Sequence, residues 1–142
     1  MPFGESASHG LRIAIIGMGP RGISVLERLA LRVPEKPGQG PLVFAIDAVQ
    51  VGCGRIWRTD QQSWFTMNTV AGQVTMYSGV PDGGPDRAGA GPCVSEWLSR
   101  SADGELASIG PDGYAPRVAY GRYLRHVFRS ICLLYTSPSP RD

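Results

Sequence analysis

The sequence has few cysteines, no long apolar run and neither of the glycine motifs that mark P-loop NTPases and serine hydrolases. Its cysteines form no CxxC pair and have no metal-ligand spacing. We therefore expect packing residues, no metal site and a reducing, cytoplasmic setting. No apolar run approaches the roughly 18 residues that a membrane span requires. Neither G-x-x-x-x-G-K-[ST] nor G-x-S-x-G occurs, which argues against a P-loop NTPase and a serine hydrolase.

Charged residues are also sparse. They make up 18% of the 142 residues, apolar residues make up 42%, and the formal net charge is +2. This composition is typical of a soluble globular domain, or of the first part of a larger one. We expect a small-molecule substrate, with neither a nucleic acid nor a membrane as partner, and leave the oligomeric state open. The polar start "MPFGESASHG" (residues 1–10) lacks the regions of a secretory signal and is interpreted as a flexible arm.

The end of the chain looks foreign to the rest. "CLLYTSPSPRD" (Cys132 to Asp142) resembles the translated read-through of a transposase-based sequencing adapter. We interpret residues 132–142 as a non-native tail and expect the native chain to continue beyond Ile131. The alternative is a natural Ser/Pro-rich tail. Setting the tail aside leaves Cys53 and Cys93 as the cysteines of the domain.

Apolar patterning predicts an α/β fold that begins with one βαβ unit. "LRIAIIG" (Leu11 to Gly17) and "LVFAID" (Leu42 to Asp47) are short apolar runs, typical of parallel strands that are buried on both faces. An apolar face recurs between them, which predicts a helix that the prolines and glycines of 34–40 end. The residues of this face are Ile23, Leu26, Ala30 and Val33.

Beyond the second strand the pattern is weaker. Residues 52–92 show no clear period, and "SGVPDGGPDRAGAGP" (78–92) is interpreted as a surface loop. "VSEWLSR" predicts a short helix, and "AYGRYLRHVFRSI" predicts an amphipathic one. The apolar face of the latter consists of Tyr120, Leu124, Val127 and Ile131. We therefore assign one truncated α/β domain to residues 11–131.

The stretch "GMGPRG" carries the strongest chemical signal. Gly17, Gly19 and Gly22 spell G-x-G-x-x-G directly after an apolar run and at the start of a helix, the context in which this motif binds a dinucleotide. Gly17 would permit a tight turn, Gly19 the approach of a pyrophosphate, and Gly22 close helix packing. Pro20 fits the first helical position, and the helix N-terminus would present N–H groups to the anion.

Asp47 closes the second strand, where dinucleotide-binding folds place the acid that bonds the adenosine ribose. It follows the glycines by somewhat more than the usual distance of about 20 residues, and the loop "PEKPGQGP" accounts for the difference. Ribose recognition by Asp47 would disfavour a 2′-phosphate at this site. The alternative is a glycine-rich turn in an α/β protein that binds no nucleotide.

The form G-x-G-P-x-G is frequent in FAD-binding flavoproteins, and the likeness extends along the chain. "IAIIGMGPRGISVLERL", "FAIDAVQVGCGRIWRTDQ", "WFTMNTVAGQVTMYSGVP" and "PRVAYGRYLRHVF" resemble, in order and spacing, a bacterial family of FAD/NAD(P)-binding proteins. That family is distantly similar to flavin-containing and amino-acid N-hydroxylating monooxygenases. The resemblance implies a Rossmann-like, three-layer FAD/NAD(P)-binding domain, of which this chain holds the N-terminal portion. It also implies an FAD-dependent, monooxygenase-like oxidoreductase that uses NAD(P)H as electron donor.

By this resemblance, the glycine turn surrounds the FAD pyrophosphate and Asp47 holds the ribose. In "GCGRIW", Gly52 and Gly54 would allow close backbone approach, and Arg55 and Trp57 would contact the cofactor. The alternatives are a solvated charge for Arg55 and a core aromatic for Trp57. The implied cofactor-binding set is Gly17, Gly19, Pro20, Arg21, Gly22, Asp47, Gly54, Arg55, Trp57 and Asn68.

Asn68 stands where the relatives place an amide near the flavin, and it is the weak candidate for a catalytic residue. The alternative is a loop cap. The segment departs from the relatives at "YSGVP" (77–81), because they carry an acid at the position of Gly79.

Two other functions stay open at this point. One is an NAD-dependent dehydrogenase, against which the G-x-G-P-x-G form and "GCGRIW" count. The other is a non-enzymatic dinucleotide-binding module. His126 is interpreted as a surface histidine, and the stripe of Arg122, Arg125 and Arg129 as a solvated helix face.

Overall fold

A computed structural model describes residues 10–32, 40–79 and 91–136 of the chain. Two strands and four helices occur in these ranges, with one turn of 3-10 helix at Ala71–Gln73. In chain order they are β1 (Arg12–Ile16), α1 (Pro20–Ala30), β2 (Leu42–Ile46), α2 (Val94–Leu98), α3 (Gly104–Ala107) and α4 (Arg117–Thr136).

The predicted βαβ unit is present. β1 and β2 pair in parallel, in a register that runs from Arg12 opposite Leu42 to Ile16 opposite Ile46. Gly17 N donates to Ile46 O at 2.8 Å, so the pairing extends into the turn that follows β1. This arrangement brings the carboxyl ends of both strands, and the turns that follow them, to one edge of the sheet.

The core lies between α1, α4 and the inner face of the sheet. Ile23, Leu26 and Ala30 of α1 are buried, as their spacing predicts. All four apolar residues predicted for α4 are buried too, and Tyr123 joins them with a fully buried side chain. Val33 lies outside the described residues, so the last position of the predicted α1 face has no structural counterpart here.

The outer face of the sheet differs from the prediction of strands buried on both sides. Ile15 is buried and Val43 half-buried, but Ile16 is 82% exposed and Phe44 46% exposed. Burial alternates along both strands because the described helices cover one face of this two-stranded sheet. The apolar sequences of β1 and β2 thus suit strands that are buried on both faces, but the described residues cover only one face of the sheet.

Between β2 and α4, the residues that the structure describes form turns and short helices. The segment 66–72 is tied to 111–117 by an isolated bridge between Thr66 and Pro116 and by main-chain bonds such as Met67 N to Ala115 O at 2.9 Å. The short helix predicted from "VSEWLSR" is α2. Residues 1–9 of the predicted arm, residues 33–39, and residues 80–90 of the predicted surface loop lie outside the described ranges.

α4 continues to Thr136, past the boundary expected after Ile131. Its final residues contain neither proline nor glycine before Pro138, so no helix breaker interrupts them. A non-native tail at 132–142 stays a prediction. Within the described ranges, no helix combines the length and hydropathy of a bilayer-spanning segment.

Candidate dinucleotide-binding site

The glycine turn between β1 and α1 is built on contacts that exclude side chains. Gly17 adopts φ +93°, a left-handed conformation that L side chains rarely take. A Cβ on Gly22 would collide with the carbonyl oxygen of Gly17 and lie 3.0 Å from Met18 Sδ. Gly22 therefore lets α1 start directly against the turn, which fixes the helix N-terminus at the end of β1.

The N-terminus of α1 is suited to an anion. Its N-cap is Gly19, which has no side chain to bond the first amides, and its first turn starts with Pro20 and contains no acidic residue. The first amides of a helix have no intrahelical acceptor and carry the positive end of the dipole. A Cβ on Gly19 would meet only ordinary contacts, the nearest at 3.8 Å from Gly54 Cα. The turn thus leaves room for a phosphate beside uncapped amides.

Asp47 lies where β2 ends, and its carboxylate is already bonded to main-chain amides. Oδ2 accepts from Met18 N at 2.9 Å, and Oδ1 accepts from Val49 N at 2.8 Å and Gln50 N at 3.0 Å. A carboxylate offers about four acceptor positions, so these three bonds leave capacity for one ribose hydroxyl. Asp47 also joins the glycine turn to the loop after β2.

The loop "GCGRIW" packs against the glycine turn. Gly52 and Gly54 have positive φ, and Gly52 N donates to Met18 O at 2.8 Å. A Cβ on Gly54 would lie 3.1 Å from Gly19 Cα, and one on Gly52 would lie 3.3 Å from Arg125 Cα. We expected close backbone approach at Gly52 and Gly54, and the segments that approach them are other parts of the protein itself.

These elements enclose an open cleft of about 470 Å³, within the usual size range of small-molecule sites. Of the cofactor-binding residues expected from the sequence, all but Gly22 and Asn68 line it, and Cys53 and Ile56 join them. The lining is Gly17, Gly19, Pro20, Arg21, Asp47, Cys53, Gly54, Arg55, Ile56 and Trp57. Gly22 lies behind the turn. Because two arginines accompany one aspartate, the residues of the cleft suit an anionic ligand.

Sequence reasoning missed Cys53 and Ile56 because it selected glycines and polar residues within "GCGRIW". Cys53 is fully buried, and its Sγ donates to Gln50 Oε1 at 2.7 Å. Burial raises the pKa of the Cys53 thiol, so the group stays protonated and is unsuited to act as a nucleophile. The sequence does carry one signal for Cys53, because this residue lies between Gly52 and Gly54, and both glycines pack closely against other main chain.

Trp57 serves both the cleft and the core. Its ring lies edge-on to Tyr120 with centroids 4.8 Å apart, and the Arg117 guanidinium carbon lies 5.8 Å from its ring centroid. Its carbonyl occupies the place where a Cβ on Gly121 would sit. The two interpretations of Trp57 are therefore compatible, because α4 holds a ring that also lines the cleft.

Comparison with known proteins agrees with this geometry. A family described as FAD-NAD(P)-binding matches residues 14–137. The chain belongs to the FAD-NAD(P)-binding family. A nitrosuccinic acid synthase of Aspergillus oryzae is 43% identical over 92% of this chain and 19% of its own length.

Two bacterial proteins are also similar. L-aspartate N-monooxygenases (nitrosuccinate-forming) of Streptomyces cremeus and Streptomyces davaonensis are 39% and 33% identical, over 85% and 82% of this chain. These alignments cover 21% and 20% of the two enzymes. The chain thus spans about a fifth of the length of the curated relatives it matches.

Other candidates in this family member lie apart from the cleft. Asn68 is exposed in a bend and does not line the cleft. His126 is exposed on α4, as predicted, with its ring 5.8 Å from that of Trp97. In the described part of the chain no cluster of three metal-ligating side chains occurs, and the cysteines found there form no disulfide.

A second concavity of about 520 Å³ lies among the 3-10 turn, α2 and α3. Its polar groups bond to neighbouring main chain: Ser99 Oγ donates to Glu96 O, Ser108 Oγ donates to Glu105 O, and Glu96 Oε2 accepts from Cys93 N. These groups are thus already hydrogen-bonded within the protein. The cleft at the glycine turn is therefore the better candidate site.

Proposed function

We propose that the whole protein is an FAD-dependent oxidoreductase of the N-hydroxylating monooxygenase type, with NAD(P)H as electron donor. The observation that carries the proposal is the cleft itself, in which an uncapped helix N-terminus, a glycine turn and Asp47 meet. Membership of the FAD-NAD(P)-binding family and the similarity to three nitrosuccinate-forming proteins support it. An NAD-dependent dehydrogenase gains no comparable support.

The substrate class follows from the same relatives. Two of them are named for N-oxygenation of L-aspartate, and we propose a small amino acid, with L-aspartate as the first to test. In this proposal, the described residues supply the dinucleotide site alone. Substrate selection would then depend on parts of the protein outside this chain.

Within the cleft, each group has a task that its chemistry suits. The amides at the start of α1 would bond the pyrophosphate of FAD, and Arg21 and Arg55 would offset its charge. Asp47 would accept one ribose hydroxyl, and Trp57 would form an apolar wall. The bound flavin would supply the redox chemistry. Asn68 is proposed to lie near the flavin, and no acid or base is assigned.

The open sheet face supports a further proposal, on the architecture of the whole domain. We propose a Rossmann-like, three-layer arrangement in which further chain covers Ile16, Phe44 and their neighbours. Parallel sheets occur almost only with both faces covered, and the relatives are about five times longer than this chain. Cys53 and Cys93, which form no disulfide, fit a reducing, cytoplasmic setting.

The visible spectrum of the whole protein tests the proposal, followed by NAD(P)H oxidation with and without L-aspartate and detection of nitrosuccinate. We expect a yellow protein whose flavin is reduced by NAD(P)H and whose product formation depends on the amino acid. A colourless protein that binds NAD would indicate a dehydrogenase. A flavoprotein that consumes neither NAD(P)H nor oxygen with any amino acid would indicate a binding module.

A further inference from the structure

Glu27 of α1 is a carboxylate placed in the core. Its side chain is 1% exposed, and among the described residues it is the single charged residue that is buried. Burying a carboxylate is unfavourable unless hydrogen bonds replace its hydration. The nearby guanidinium of Arg28 compensates little, because its Nε is 3.8 Å from Glu27 Oε2 and the Arg28 side chain is 56% exposed.

Two hydrogen bonds to Glu27 come from a distant segment. Ser78, 51 residues further along the chain, donates to Glu27 Oε1 from its Oγ at 2.8 Å and from its main-chain N at 3.3 Å. One serine thus bonds twice to one carboxylate oxygen. Such a paired contact fixes both the position and the orientation of the Ser78 main chain relative to α1, which an apolar contact would not do.

The segment that carries Ser78 is held on its other side by α4. Tyr123 Oη accepts from Met76 N at 3.1 Å and donates to Pro92 O at 2.8 Å. Tyr77 lies between these two anchors, and burial together with the charge of Glu27 raises the pKa of its phenol. Residues 74–79 are thereby fixed between α4 and the helix whose N-terminus forms the cleft.

A buried ionic group is weak evidence for stability, since apolar residues of similar volume often serve a fold as well or better. The presence of Glu27 therefore calls for a role in which direction matters. We propose that Glu27 is a positioning residue of the cofactor site, which sets the placement of α1 against residues 74–79 through Ser78. The inference rests on the proposed flavin site. Glu27 lies about two helical turns from Pro20, or about 10 Å, so it acts on the cleft through α1.

Two substitutions of Glu27 separate position from packing. Glu27→Gln keeps an oxygen that can accept from Ser78, whereas Glu27→Met keeps the length of the side chain and removes the acceptor. Arg28→Met is the matched control, because it alters the exposed neighbour only. All variants are made in the whole protein and compared by FAD affinity, by visible circular dichroism of the bound flavin, and by kcat and KM for NAD(P)H.

We expect Glu27→Met to bind FAD at least about tenfold more weakly, the scale of lost bonds to a charged group, and to alter the circular dichroism of the flavin. The FAD affinity of Glu27→Gln should stay within about threefold of that of the parent. The FAD affinity of Arg28→Met should equal that of the parent. Ser78→Ala should weaken FAD binding in the parent but not further in Glu27→Met. It also carries the test alone if Glu27→Met does not fold.

Equal FAD affinity and flavin spectra in the parent, Glu27→Met and Ser78→Ala would overturn the inference. So would equal losses in Glu27→Gln and Glu27→Met, because packing rather than the acceptor would then be responsible. A parent protein that binds no flavin would instead refute the proposed function itself, and the role of Glu27 with it.

Discussion

At the residue scale, the carboxylate of Asp47 serves the fold as well as the proposed ribose contact. Its three main-chain bonds join the turn after β1 to the loop after β2. Because all three donors are main-chain amides, the fold itself holds the carboxylate in place. Preorganisation of this kind reduces the cost of ordering the site on binding.

Asp47→Asn tests this double role. An amide has one oxygen instead of two, and its NH₂ group would face either Met18 N or the amides of Val49 and Gln50. We expect the free energy of unfolding of the ligand-free whole protein to fall by about 1.5–3 kcal/mol, the usual contribution of bonds to a charged group. We expect FAD binding to weaken by a similar free energy.

Denaturant titration and FAD titration measure these two losses. Asp60→Asn is the matched control, because Asp60 is exposed and pairs with Arg58 at the surface; such pairs contribute about 1 kcal/mol or less. Unchanged stability with reduced FAD affinity would mean that Asp47 binds the ribose but does not stabilise the fold. Unchanged values of both would exclude it from the site.

Gly19 offers a complementary test of the cleft. A methyl group at this position meets nothing closer than 3.8 Å, so Gly19→Ala should fold and retain much of its FAD. Gly19→Val projects two methyl groups into the space beside the uncapped amides, and we expect it to fold but lose bound FAD. The flavin-to-protein absorbance ratio after purification decides. Full flavin content in Gly19→Val would show that the phosphate does not bind beside Gly19.

At the element scale, α1 is positioned by the absence of a side chain at Gly22. Gly22→Ala would gain about 1 kcal/mol in helix propensity, but its Cβ would collide with the Gly17 carbonyl. Main chain cannot swing aside as a side-chain tip can, and overpacking typically costs about 1–3 kcal/mol. We therefore expect a lower melting temperature and weaker FAD binding.

Gly104→Ala is the matched control for Gly22→Ala. It lies in the first turn of α3 with nothing within 4 Å of the new Cβ, and it should leave the melting temperature unchanged or slightly raised. Thermal melts of both variants, with and without FAD, provide the comparison. Equal behaviour of the two alanine variants would show that α1 can shift away from the turn at no cost.

The aromatic residues of α4 predict how stability depends on pH. Burial, with a smaller contribution from Tyr123, raises the pKa of Tyr120 to about 12 from 10. Folding therefore favours the neutral phenol. The associated stability is fully present below pH 10 and is lost as pH rises through about 12.

Tyr120→Phe removes this titrating group and keeps the ring that contacts Trp57. We expect its free energy of unfolding to fall less steeply than that of the parent as pH rises from 10 to 12, with little difference at pH 7. Tyr77 and Tyr123 also have raised pKa values, so part of the alkaline loss should remain. Parallel curves for parent and variant would mean that Tyr120 ionises freely in the folded protein.

At the scale of the whole molecule, the uncovered sheet face sets the solution behaviour of this chain. Ile16, Phe44 and Leu42 form an apolar surface on one side of two strands, the kind of patch that promotes association. We expect residues 1–131 expressed alone to aggregate or to melt without cooperativity. A chain extended to the length of the relatives should melt cooperatively and bind less of a dye that reports apolar surface. A cooperative melt with stoichiometric flavin in 1–131 would contradict this.

Local patterns predict the local structure well here. The strand, glycine turn and helix follow from apolar spacing and from residues such as Gly17 and Pro20, whose backbone requirements are intrinsic. The contacts of Glu27 with Ser78, and of Gly54 with Gly19, join segments far apart in sequence. No periodicity encodes such pairs, because tertiary packing alone brings the partners together. The one-sided burial of the strands likewise depends on which other elements are present.

The dependence of the cleft on α4 has a consequence for the order in which the protein is made. The glycine turn and Asp47 are synthesised before the loop at 52–57, and that loop packs on the α4 residues Arg125 and Tyr120, which follow much later. Nascent chains emerge from the amino terminus onward. A ribosome must therefore translate well past Arg125 before the last wall of the cleft can form, and flavin added to shorter nascent chains should find only the phosphate-binding turn.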